Sequence, residues 1–308
     1  MLPVILLLLV LTGSGWFALK HGITLDRVVF GSATVSGLSL RLDQGFIVTI
    51  DRLGVRQSPG KNASGRFAGR IARLGKWSSF LHSVTIKELV YRGHSASVTY
   101  QDGRLLAQGD DLRLTGSIST GGKSDRLGIE TLEIRPAHVV LKGEGPFKTD
   151  DNRFDFSGSF QSNWGKGSVT IERQGEEVNV RLSTEPFTDL AALLHQLHLD
   201  PDAAAWVTEN ISAESYRIEE LLLQLNLTEL DNPNPGSIRG TAMADSAAIR
   251  FQPDLPPVEC DKIAITYQDD RLSFNLAKPT YREKDLAGSR VTIAPLLGAE
   301  TRLIIHLR

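Results

Sequence analysis

One cysteine in 308 residues, Cys260, excludes an intrachain disulfide and leaves a structural zinc cage without its thiolates. Its setting, Val258-Glu259-Cys260-Asp261-Lys262-Ile263, reads as a small packing residue on a strand. Net charge is nearly absent too: 34 Lys and Arg against 36 Asp and Glu leave -2, so no global field points to nucleic acid. Phosphate-loop and dinucleotide fingerprints are missing, since Gly143-Glu144-Gly145 runs into Pro146. The nearest approach to a nucleophile elbow, Gly93-His94-Ser95-Ala96-Ser97, ends in Ser and continues into alternating Val98-Thr99-Tyr100. His195 and His198 have helical ligand spacing but no third ligand beside them, and Asp110-Asp111, Asp150-Asp151 and Asp269-Asp270 fit turns. The sequence therefore carries no enzyme signature, and no cofactor or metal is expected.

One long apolar run exists. Met1 to Leu19 has no ionisable side chain, enough to span a bilayer core of about 30 Å. With Trp16, Phe17 and Lys20 as an interface belt, residues 1–20 read as a retained inner-membrane anchor; a cleaved signal peptide is the alternative, given Gly13 and Gly15. The rest is expected to face the periplasm. Among 41% hydrophobic residues, the main pattern from residue 23 onward is period-2 alternation. It places Leu38 with Leu40, Leu112 with Leu114, Phe154 with Phe156, and Ile263 with Ile265 on common faces; Ile171, Val180, Leu225 and Phe274 sit in equivalent positions. Turn chemistry at Asp43-Gln44-Gly45, Gln101-Asp102-Gly103 and Asp269-Asp270 suits hairpins, so the expected fold is mainly β: an elongated, curled antiparallel meander with a few short helices.

Three further features interrupt the alternation. Leucines at 190, 193, 194 and 197, then Asp200-Pro201, predict a helix pair over 187–211, joining sheet segments 21–186 and 212–308 or capping one continuous sheet. A weak echo, apolar-polar-polar-apolar, recurs at 50–53, 86–89, 129–132, 218–221 and 260–263. Between Asp51 and Glu88 eight cations occur without an acid, and a helix near 64–81 would align Arg66, Arg70 and Arg73 as candidate contacts for anionic headgroups.

The anchor followed by Ile23-Thr24-Leu25 and Val35-Ser36-Gly37-Leu38-Ser39-Leu40, then Phe46-Ile47-Val48-Thr49-Ile50-Asp51, resembles the AsmA-like superfamily of Gram-negative envelope proteins, in particular its YhdP branch. Leu193 to Trp206, Ala248-Ile249-Arg250-Phe251-Gln252-Pro253 with Pro256-Pro257, and Asp270-Arg271-Leu272 extend the likeness over most of the chain. The resemblance implies an open β-groove whose apolar interior carries phospholipid acyl chains between inner and outer membranes, without catalysis. The twelve apolar residues named above are then the groove lining. Members of that branch are several times longer, so the resemblance also implies an N-terminal fragment cut at Arg308. A second reading is an envelope assembly module that pairs with partner proteins by β-augmentation.

Overall fold

The computed structural model describes residues 19–30, 33–55, 81–91, 93–119, 125–148, 153–196, 201–226, 235–252, 254–295 and 302–306. The expected anchor lies outside these apart from its end, where residues 19–21 are helical; among the described residues no helix is long and apolar enough to cross a membrane. Arg66, Arg70 and Arg73 also lie outside them.

The chain is mainly β and forms two compact units, residues 1–136 with 141–154, and 137–140 with 155–308. The first is built from β1 (Ile23–Phe30), β2 (Ala33–Leu42), β3 (Phe46–Val55), β4 (Leu81–Tyr91), β5 (His94–Gln101), β6 (Arg104–Gly109), β7 (Leu112–Ser119), β8 (Asp125–Ile134) and most of β9 (Val139–Lys148). Adjacent strands pair antiparallel from β1 to β8 with one exception. β3 and β4 run parallel, Ile50 beside Ile86, which corrects the expected uninterrupted meander. A parallel neighbour needs a connection of about a dozen residues or more, and 56–80 supplies that length. Leu81, expected at the end of a helix, instead opens β4. The β5–β6 hairpin turns through Asp102 and Gly103, both at positive φ, the backbone that matches strand twist in a two-residue turn. Gly37 is also at positive φ (62°), and a Cβ there would overlap the Asp51 carboxylate, so β2 requires glycine at this point.

The second unit contains β10 (Arg153–Gln161) from Asp155 on, β11 (Lys166–Gln174), β12 (Glu177–Thr184), α1 (Leu190–Gln196), α2 (Pro201–Asn210), β13 (Ile211–Ser212), β14 (Ser215–Asn226), β15 (Pro235–Ile249), β16 (Val258–Gln268), β17 (Arg271–Ala277), β18 (Thr280–Tyr281), β19 (Lys284–Asp285), β20 (Arg290–Ala294) and β21 (Arg302–His306). β12 pairs directly with β14, so the helix pair caps one continuous sheet, the second of the two arrangements expected. α1 begins at Leu190, later than the expected start at 187. Asp189 caps it, accepting from the Ala192 amide at 2.9 Å, and Phe187 is taken by a backbone bridge with Tyr216. Its last turn is tied down by Gln196, which accepts from Trp164 Nε1 (2.7 Å) and donates to the Ala137 carbonyl (2.8 Å).

Three of the five echoes are β-bulges. Ile86 and Leu89 are three apart but oppose Val98 and Ala96, two apart; Ile129 with Leu132 opposes Gly116 with Leu114, and Ile218 with Leu221 opposes Ala242 with Gly240, in the same way. The extra residue keeps both apolar ends of each echo on one face. At 50–53 and 260–263 the register runs without a shift.

Candidate functional site

Cross-strand register sorts the first unit into two chemically opposite faces. One row across eight strands reads Leu25, Leu38, Ile50, Ile86, Val98, Ala107, Leu114, Leu132; the next reads Ile23, Leu40, Val48, Val84, Tyr100, Leu105, Gly116, Ile129. The row between them, on the opposite face, is Thr24, Ser39, Thr49, Thr85, Thr99, Leu106, Thr115, Thr131. At about 4.8 Å between strands, each row runs for about 34 Å. No side chain in either apolar row is buried, and Leu25 remains 46% exposed. Val35 is the one buried apolar side chain among the described residues of this unit, and its register with Val28 and Leu53 places it on the other face. A sheet with one wet apolar face this long is unusual for a soluble surface, where apolar patches are normally small.

The second unit repeats the row but covers half of it. Val169, Leu182, Leu221, Gly240, Tyr267, Leu272, Ile293 and Leu303 register across eight strands. At the helix-pair end the same face is sealed, by Phe160, Trp164, Phe187 and Tyr216 in a chain of ring contacts 5.5–5.9 Å apart, with Leu193, Leu194 and Val207 from the helices also buried. Away from it Ile171, Val180, Leu223 and Leu225 are only half-buried.

The twelve lining candidates therefore separate. Leu38, Leu40 and Leu114 lie in the open rows of the first unit, and Leu112, 36% exposed, continues them beside Ile134. Phe154 is half-buried, as are Ile171, Val180, Leu225 and Ile265 on the uncovered part of the second unit. Phe156, Ile263 and Phe274 differ from these: they are buried within the second unit, at 3%, 0% and 1% exposure. Alternation alone missed this, since it marks an apolar face without saying whether anything covers it.

Of the eight cations between Asp51 and Glu88, the two described residues are both engaged across strands: Arg52 with Glu88 (3.6 Å) and Lys87 with Asp51 (2.8 Å). Such exposed pairs contribute about 1 kcal/mol or less. Among the described residues no three His, Cys, Asp or Glu side chains are placed to hold a metal ion.

Cys260 is buried against the Ala247 carbonyl (3.4 Å), and burial, with a smaller push from the Asp261 carboxylate, raises its thiol from 9.0 to about 11. The thiolate needed for nucleophilic chemistry is thus disfavoured at neutral pH. A folded value above the unfolded one gives a contribution that is whole below pH 9 and lost as pH rises toward about 11. Over that window the native chain should lose stability relative to Cys260→Ala, read from urea unfolding; parallel curves would show that the thiol does not titrate differently in the two states.

No family model, curated protein or solved structure matches the chain.

Proposed function

We propose that this chain holds lipid acyl chains on its open apolar sheet faces and, as a membrane-anchored periplasmic protein, contributes to phospholipid transport between the inner and outer membranes. The observation that supports this reading is the pair of apolar rows registered across eight strands with no buried side chain. Leaving such a face in water forfeits about 25 cal/mol per Å², and a flexible hydrocarbon chain covers it without needing shaped pockets. The role is binding and passage, with no catalytic step.

The test places a benzophenone amino acid at Leu114 or Ile171, on the apolar face, and at Thr49 or Thr115, on the hydroxyl face, of the full chain in its envelope. Phospholipid adducts are expected from the first pair only. Equal adducts from both faces, or protein adducts alone, overturn the reading.

A second reading, strand addition by a partner protein, is favoured by one observation: β1 pairs only with β2 among the described strands, and Val29 on it is 59% exposed. Benzophenone at Val29 giving a single protein adduct would support it.

A further inference from the structure

The apolar rows of the first unit end abruptly on one side. The row after Leu25, Leu38 and Ile50 is Arg27, Ser36 and Arg52, in unbroken register and on the same face. On β4, Glu88 pairs with Arg52 and Lys87 with Asp51. Arg27 and Arg52 are two strands apart, about 10 Å between backbones, with the Ser36 hydroxyl between them. Arg27 is exposed and forms no ion pair with a described residue, and Arg52, although paired with Glu88, keeps its side chain 60% exposed, so a ligand can reach both guanidinium groups.

On the other side of this row the face stays apolar through Leu38–Ile50–Ile86, Leu40–Val48–Val84 and Leu42–Phe46–Leu81. Three rows at about 6.8 Å make a band about 14 Å wide. One leaflet of a bilayer core of about 30 Å is about 15 Å, the depth occupied by one set of acyl chains. Band width and chain length agree.

We infer that Arg27, Ser36 and Arg52 hold the phosphate of a bound lipid whose acyl chains lie along β1–β4 toward Leu42 and Phe46. This rests on the lipid reading above and adds to it an orientation and a headgroup site. Arginine forks match phosphate oxygens two at a time, and the hydroxyl supplies a further donor. Glu88 competes for Arg52, so removing its charge strengthens the site.

The test uses the purified full chain and two photoreactive probes with identical diazirine acyl chains, phosphatidylglycerol and diacylglycerol. Capture of phosphatidylglycerol over diacylglycerol is expected for the native chain. Arg27→Gln with Arg52→Gln should lower that ratio about fivefold, with diacylglycerol capture unchanged as the control for folding, and Glu88→Gln should raise it. An unchanged ratio in the double variant overturns the inference, as does displacement of the lipid by an equal concentration of glycerol phosphate, which would make the row a site for free phosphate esters. Equal capture of both probes by the native chain overturns the headgroup site and leaves the lipid reading standing; capture of neither overturns both.

Discussion

Glutamate in place of Ile263 or Phe274 should abolish the cooperative melting transition, while glutamate at Leu114, Ile171 or Val180 should move the melting temperature by only about 4 °C. Ile263 is 0% and Phe274 1% exposed, registered against Ala244 and Val291, which are themselves buried. A carboxylate there has no partner, and its burial costs several kcal/mol against a total stability of about 5–15 kcal/mol. At the three half-exposed positions the carboxylate reaches water and only part of an apolar contact is lost. Circular-dichroism melts of the five variants check the contrast. Collapse at all five would mean that the uncovered rows are core after all.

Single-residue deletions should divide as sharply. Removing Leu222 shifts one flank of β14 by one position and turns its alternation inside out, because side chains repeat every two residues; either Tyr216 leaves the buried cluster or Leu223 and Leu225 exchange faces with Gln224. That deletion should leave the second unit unfolded. Removing Glu219 should not. It is the extra residue between Ile218↔Ala242 and Glu220↔Thr241, so its loss closes the ladder into regular pairing with Ile218 and Leu221 still on one face. The cost is the strand's local bend and an exposed pair with Arg217 at 3.6 Å. Limited proteolysis of the two deletion variants reads the difference, and equal sensitivity would contradict the bulge assignment.

These contrasts mark how far the amino-acid order can be read. Alternation at Leu38–Leu42, Leu112–Leu114 and Val178–Leu182 identifies strands because a half-buried strand needs period two, and the Asp-Gly and Asp-Asp turns fall where hairpins require positive φ. The recurring apolar-polar-polar-apolar echo was visible, yet its meaning was not: a bulge is defined by two residues opposing one, and the partner strand is not written in the bulged one. The same holds for Phe187. Its place before a leucine-rich helix made it look helical, but backbone bonds to Tyr216 at 2.7 and 2.8 Å, formed with a strand far along the chain, hold it extended. Open and sealed lining residues have identical local patterns. What separates Leu114 from Phe274 is whether other parts of the chain cover the side chain, and strand alternation carries no trace of that. The Arg27–Ser36–Arg52 row was illegible for a related reason, since its members come from three strands and meet only through register.

The parallel neighbours β3 and β4 set the first unit apart from a simple meander in the entropy of its assembly. β1 to β3, and β4 to β7, are each joined by connections of a few residues, so their ladders close with little loss of chain freedom. Pairing Ile50 with Ile86 instead encloses residues 56–80, the most distant neighbours in sequence anywhere in the β1–β8 ladder. The first unit thus consists of two locally determined ribbons with a single non-local seam. Each ribbon alone carries only a fragment of the apolar face. The eight-strand rows become continuous only across that seam, so the surface to which we assign lipid binding is a property of the assembled unit that neither ribbon has by itself.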